Sequence, residues 1–202
     1  MARIADKAAL RRLYAEPTRE VLVKELGFLD GHCRALLAES RFYVIATQGP
    51  DGLGDVTPRG DRTGQIQVLD DRTIALPDWP GNNRLDTLSN ILDNPGVGLL
   101  FVVPGLSETL RVNGLAEIRD DEDLKARFET NGRRPLSVVL IHVRQAYIQC
   151  GKAFVRSQLW KPETWVDRSG LPPLGVIIRD HCQLGAIMSD EEIAEDYRAT
   201  LY

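Results

Sequence analysis

The chain has 202 residues, 43% of them apolar and 27% charged, enough to bury one generous core but tight for two full domains. Lys and Arg number 25 against 29 Asp and Glu, a net charge of −4, which argues against a dedicated nucleic-acid binder because such proteins carry a basic footprint. No apolar run reaches the roughly 20 residues of a membrane span, and the opening residues, MARIADKAALRR, lack the apolar core of a signal peptide.

Residues 1–40 are helical in pattern. Thr18 is a candidate N-cap, and Val21, Val23, Leu26, Phe28 and Leu29 continue at roughly helical spacing to Leu36 and Leu37. Gly27 and Gly31 weaken or divide that helix. The pattern then changes to strands. Arg41–Thr47 is β-branched and aromatic, Gly49–Gly52 is a turn, and Gly54–Thr57 resumes the strand. Gln65–Leu69 alternates polar and apolar, Asp70-Asp71 turns, and Thr73–Leu76 returns, so two hairpins are predicted.

Pro77–Gly81 is rich in breakers. Leu85–Leu92 follows as a helix with Leu85, Leu88, Ile91 and Leu92 on one face, stopped by Asn94-Pro95-Gly96. Val97–Val103 and Thr109–Arg119 are strands. Asp120–Asp123 opens an acidic helical turn, favourable at a helix start. Ser137–Cys150 is a further long strand, Gly151–Trp160 a short helix or turn, and Gly175–Leu184 and Ser189–Leu201 are helical. Roughly six strands in one antiparallel meander favour a closed or split barrel, since closure removes exposed edges. A doubly wound fold would need strand and helix to alternate throughout.

Cys33, Cys150 and Cys182 are odd in number and far apart, so no disulfide framework is expected and the compartment is read as reducing. His32, His142 and His181 have no chelating spacing, and no metal site is expected.

Three clusters carry candidate chemistry. Thr57–Asp61 (Thr-Pro-Arg-Gly-Asp) closes a strand; its bland reading is a turn in which Asp61 pairs with Arg59 or Arg62. Pro77–Arg84 joins a strand end to a helix start. There Asn82 and Asn83 supply amide donors, Arg84 a planar fork matched to phosphate, and Gly81 room for close approach. Its bland reading is a capping Asn82 or Asn83 beside a solvated Arg84. In Cys150–Arg156, Lys152 and Arg156 lie four apart, so a helix puts both charges on one face, with Trp160 four further on. The bland reading there is a solvated charge pair with Trp160 in the core. Cys150 reads as a packed, inert thiol.

Taken together, these segments resemble the pyridoxamine 5′-phosphate oxidase-like, FMN-binding split-barrel family over about residues 18–160. The likeness is nearest to its branch of FMN-dependent enzymes of unassigned substrate. Five motifs carry it in order: Thr57–Asp61, Gly81–Ile91 (Gly-Asn-Asn-Arg-Leu-Asp-Thr-Leu-Ser-Asn-Ile), Asn94–Phe101, Thr109–Gly114, and Cys150–Ala153 with Arg156–Trp160.

The resemblance implies a six-stranded antiparallel split β-barrel over 41–160, after a helical segment 1–40 and before a helical extension 161–202. It implies a cytoplasmic homodimer with two FMN sites at the subunit interface. Arg59, with Asn83 and Arg84, matches the positions that hold the phosphate. Thr57, Pro58 and Gly60 would lie along the flavin, and Lys152 and Arg156 would come from the partner subunit.

The sequence also departs from the pattern. The oxidases proper carry Arg-x-Val-Leu-Leu-Lys on a strand, where Ile66–Asp70 here reads Ile-Gln-Val-Leu-Asp. Their carboxy-terminal Trp-Arg and Arg-Leu-x-Pro segments are missing from 161–202. Oxidation of pyridoxamine phosphate is therefore not expected, and the substrate and catalytic residues stay open. The leading expectation is an FMN-dependent oxidoreductase. The alternative is a flavin- or haem-binding module that stores or senses without turnover, since the same barrel hosts haem and deazaflavin binders in related families. No nucleic-acid or membrane partner is expected.

Overall fold

A computed structural model describes residues 3–183, 185 and 188–201. The predicted helical ends at Met1 and Leu184 lie outside the described residues. Three short helices, α1 (Lys7–Arg11), α2 (Arg19–Val23) and α3 (Gly31–Glu39), precede the sheet. The apolar spacing of 18–37 is thus interrupted over 24–30, where Gly27 lies, whereas Gly31 opens α3 and does not break it. Thr18 takes the N-cap position of α2 without a side-chain bond, whereas Asp30 caps α3 by accepting the Cys33 N–H at 2.8 Å. Between them, Leu26 makes a single β-bridge to Ala146.

Among the described residues, seven strands form one antiparallel sheet, where the sequence suggested about six. They are β1 (Phe42–Gln48), β2 (Gly54–Gly60), the two-residue β3 (Gln67–Val68), β4 (Thr73–Asp78), β5 (Gly96–Val102), β6 (Thr109–Arg119) and β7 (Ser137–Gln149). Their spatial order is β2-β1-β5-β6-β7-β4-β3. The fold is mainly β with flanking helices, as expected for a split barrel. Helix α4 (Asp86–Asp93) crosses from β4 to β5, and α5 (Glu122–Ala126) joins β6 to β7. Helices α6 (Lys152–Ser157), α7 (Leu174–Cys182) and α8 (Asp190–Thr200) follow the sheet. No helix among the described residues is long and apolar enough to cross a membrane.

Alternation decides which side of each strand is buried. In β1 the burial pattern places Tyr43, Ile45 and Thr47 inside and leaves Val44 and Ala46 outside. The inward residues join Leu99, Phe101, Leu110, Val112, Ile74, Leu76 and Ile141 in one core, closed by Leu29, Cys33 and Leu37 from α3 and its lead-in and by Ile91 from α4. Each fully buried aliphatic or aromatic side chain contributes about 1.5–3 kcal/mol relative to exposure.

Two glycines are required by close approach. At Gly114, beside a register irregularity between β6 and β7, a Cβ would lie 2.4 Å from the His142 carbonyl oxygen. At Gly151, ahead of α6, it would lie 2.6 Å from Ser107 Cβ. The second contact presses the start of α6 against the turn between β5 and β6.

Candidate functional site

β2 and β4 stand apart in the sheet order, with no ladder between them. A side-chain contact joins them instead. Arg59 of β2 donates to Asp78 of β4 at 2.8 Å, with the side chains 33% and 12% exposed. The bland pairing of Asp61 with Arg59 is thus replaced by Asp78, nineteen residues along the chain. Asp61 accepts the Arg62 backbone N–H.

Beside this bridge lies a cleft of about 400 Å³ between β2 and the start of α4. Thr57, Pro58, Arg59, Asn82 and Arg84 line it together with Asp55 and Thr87. Helix α4 begins at Asp86, one residue later than predicted, behind two left-handed residues, Asn83 (φ 58°) and Leu85 (φ 60°). Neither asparagine caps it. Leu85 holds the cap position without a side-chain bond, and Asn82 Oδ1 accepts the Arg84 backbone N–H at 3.0 Å, closing a tight turn. That turn sets the direction of Arg84. Asn83 is exposed on the same turn.

The base of α4 is tied down by a polar cluster that the sequence did not reveal. Thr87 and Thr47 donate to Asp55 Oδ2 at 3.2 and 3.4 Å, and Asn90 donates to Thr47 Oγ1 at 3.0 Å. One carboxylate thereby links α4, β1 and β2. Buried polar groups kept in such a network hold one geometry, because losing a partner leaves an unsatisfied group.

Charge in the cleft is nearly balanced. Arg84 donates through Nε to Asp86 at 2.6 Å, with its side chain 76% exposed. That bond, with the nearby Asp86 charge, raises the already high pKa of Arg84. Two guanidinium groups therefore stand among Asp55, Asp78 and Asp86. Each keeps donors for a further ligand. Among the described residues, Arg59 uses only one terminal nitrogen and Arg84 only Nε in hydrogen bonds. The remaining fork of Arg84, the Asn82 amide and the Thr57 hydroxyl make a donor set that fits a phosphate.

Next to the cleft is a smaller cavity of about 290 Å³, lined by Tyr43, Pro58, Arg59, Gly60, Trp79 and Leu201 among others. Gly60 faces this cavity rather than the cleft, and Pro58 and Arg59 line both. Burial pushes the Tyr43 phenol far above its ordinary value, with the Arg59 charge working the other way.

Lys152 and Arg156 are not brought to the cleft of their own protomer. They line a groove of about 600 Å³ on the outer face of the sheet, with Val44, Ala46, Gly98 and Arg111. Among the described residues, none lines both the groove and the cleft. Helix α6 stops at Ser157 and Gln158 turns left-handed, so Trp160 does not continue the face of Lys152 and Arg156. Trp160 stacks on Phe154 and donates to the Leu106 carbonyl at 2.7 Å. Cys150, read as a packed thiol, is exposed at the groove. The buried thiol is Cys33, pushed up to about 11 chiefly by burial.

Comparison with known proteins gives the family and the fold. Residues 29–150 match the family described as pyridoxamine 5′-phosphate oxidase. No curated protein matches the chain in sequence. A variant of HupZ from Group A Streptococcus has a similar solved structure (TM-score 0.50, 21% identity), covering 60% of this chain and 99% of that one. General Stress Protein 26 from Bacillus anthracis matches with TM-score 0.45 and 19% identity over 57% of this chain and 88% of its own. A pyridoxamine 5′-phosphate oxidase-related, FMN-binding protein from Nostoc punctiforme matches with TM-score 0.42 and 16% identity over 57% and 80%. At 21% identity the likeness to HupZ is one of fold.

Proposed function

Because the chain belongs to the pyridoxamine 5′-phosphate oxidase family, we propose that it is an FMN-binding oxidoreductase that works as a homodimer. One observation carries the reading. Arg59, Arg84, Asn82 and Thr57 converge on a single cleft, and both guanidinium groups retain unused N–H donors. Arg84 is the main phosphate ligand. It is the more exposed of the two arginines, and its pairing with Asp86 leaves both terminal nitrogens for the anion. Arg59 acts from the wall, held by Asp78 so that its charge stays at the barrel split.

Pro58 and Gly60 border the adjoining cavity, where β2 backbone can meet the edge of a planar ring. Tyr43 and Trp79 supply apolar surface there. FMN, when bound, supplies reversible hydride and electron exchange at its ring, and the protein supplies position and electrostatics. Lys152 and Arg156 lie outside the cleft of their own subunit, so in this reading they complete the cleft of a second copy.

The test is a visible spectrum of the purified protein, followed by titration with FMN. Quenching of flavin fluorescence and a rise in melting temperature are expected. If no flavin copurifies and added FMN produces neither effect, the reading fails. Size-exclusion chromatography is expected to show a dimer, and a monomer would remove the shared site. Reduction of the bound flavin by NAD(P)H, with rapid reoxidation, marks an enzyme. A flavin inert to every reductant marks a binding module.

A further inference from the structure

The cavity beside the cleft has one wall that does not belong to the barrel. Leu201, at the C-cap of α8, lines it with Tyr43, Arg59 and Trp79. Asp196, Tyr197 and Ala199 of α8 line a second space, of about 590 Å³, with Trp79, Pro80, Gly81 and Asn82. Those four belong to the connection between β4 and α4, which also carries the turn of Asn82 and Arg84 at the cleft. Helix α8 thus lies across this connection, and Leu201 reaches the cavity beyond it. The Leu201 N–H donates to the Tyr197 carbonyl at 3.0 Å, so Leu201 moves with the helix. At the other end Ser189 and Glu192 form a capping box. Both ends of α8 are closed by bonds within it, so it can keep its shape while it changes place.

Apolar packing holds this helix only slightly. A helix fixed to a core buries an apolar stripe. Among the described residues of α8, no side chain is buried and Ile193 alone is half-buried. Tyr197 is 56% and Leu201 68% exposed. Charge supplies what packing does not. Residues 190–201 hold five carboxylates and one arginine, Arg198, which equals the net charge of the whole chain, −4. The surface beneath is rich in arginine. Arg133 and Arg134 line the second space with Asp196, and Arg41, Arg59 and Arg62 line the cavity with Leu201. Part of that charge is offset, since Arg134 pairs with Glu122 and Glu129 and Arg59 with Asp78. What remains attracts an acidic helix. Attraction between exposed charges reaches about 10 Å at 0.1 M salt and about 3 Å at 1 M, so salt weakens such a hold.

We infer that α8 and Leu201 form an acidic strap, latched over the cavity by arginines of the barrel, which lifts to admit a molecule from that side. The cavity measures about 290 Å³, at the lower bound of about 300 Å³ for small-ligand sites. It does not hold a ring system and a second reactant together while Leu201 stays. As the gate of a flavin site the strap rests on the function proposed above; as a moving cover of the cavity it does not.

The experiment labels the full chain with 5-fluorotryptophan and follows the fluorine resonance of Trp79, which lines both spaces and is assigned by its loss in Trp79→Phe. The difference in its position between light and heavy water reports exposure to solvent. In the parent that difference is expected to grow when sodium chloride rises from about 0.05 M to about 1 M, as screening releases the strap. Asp196→Arg sets like charge against Arg133 and Arg134. Its Trp79 is expected to be exposed already at low salt and to respond to salt less than half as much as the parent, roughly. A Trp79 indifferent to salt in the parent overturns the strap, as does an Asp196→Arg protein that responds as the parent does. Leu201→Ser withdraws the apolar contact without a change of charge, and stopped-flow quenching of flavin fluorescence then reads the gate. FMN is expected to associate and dissociate about threefold or more faster in that variant, because both rates scale with the open population. Unchanged rates beside a salt-sensitive Trp79 remove the gate and leave the cover. A salt-sensitive Trp79 in a protein that binds no FMN leaves the cover and removes the flavin reading. FMN binding beside an indifferent Trp79 removes the strap alone.

Discussion

The cleft and the groove both carry basic residues, yet their charges are in different states. In the cleft, Arg59 is bonded to Asp78 and Arg84 to Asp86. In the groove, no carboxylate of the described residues pairs with Arg111, Lys152 or Arg156. The cleft is a positioned site, in which carboxylates aim the guanidinium groups and reduce their net field. The groove is a charged site, with less internal direction and more attraction for an anion. A count of basic residues would rank the two alike, and only the pairing separates them.

The largest expected effect tests whether the cleft pairing is structural. Asp78→Ala removes the partner of a half-buried arginine and is expected to cost about 2 kcal/mol, below the range for fully buried pairs because Arg59 keeps some solvent. For a chain of this size that lowers the melting temperature by about 4–8 °C, readable by circular dichroism. Arg111→Gln in the groove is expected to stay within about 0.5 kcal/mol of the parent. Equal losses in the two variants would erase the distinction between the regions.

Next in size is Arg84→Ala. A charge-assisted contact to phosphate is worth about 1.5–3 kcal/mol, so FMN affinity should fall at least tenfold in a fluorescence titration. Unchanged affinity would take Arg84 out of the site. Asp86→Asn sharpens the comparison from the other side, by making the cleft more like the groove. The pair it breaks is exposed and screened by solvent, so FMN should bind only modestly more tightly, by up to about fivefold. A loss of affinity would mean that Asp86 is needed to aim Arg84.

The smallest effect comes from outside both regions and serves as their control. Asp30 caps α3, and the Cys33 backbone N–H lowers its pKa below the ordinary carboxylate value. A carboxyl with a lowered folded pKa stabilises above its unfolded value of about 3.9 and loses that contribution as pH falls through the folded value. Asp30→Ala is expected to cost about 1 kcal/mol at pH 7. The gap from the parent should narrow in acid, as read from urea midpoints at both pH values. FMN binding should not change. A change would show that the cleft depends on global stability rather than on its own charges.

Much of the fold was legible because it is periodic. Helix α4 was read to within a residue at each end from Leu88, Ile91 and their neighbours, and β6 over its whole length from its alternation. The motifs around Arg59 and Arg84 were legible as well, and the structure places both on one cleft. Asp78 as the partner of Arg59 was not. Nothing in a span of nineteen residues states that β4 returns to the barrel split. Arg111 was read as part of a strand and of the Thr109–Gly114 motif, with no role of its own, since a single exposed position in an alternating run carries no mark of what faces it. Trp160 was misplaced because Gln158 adopts a left-handed conformation, which helical spacing does not anticipate.

By itself, the sequence determined the strand-rich class, the turn positions and the residue types able to hold an anion, since alternation and turn chemistry act over a few residues. Only the tertiary structure decided which of those charges are already neutralised and which remain for a ligand. The reason is physical. An ion pair depends on distances across the sheet, and those are set by strand order and by how the ends of the barrel meet. This chain of −4 net charge thus carries a groove rimmed by three cations, because the fold leaves its carboxylates elsewhere.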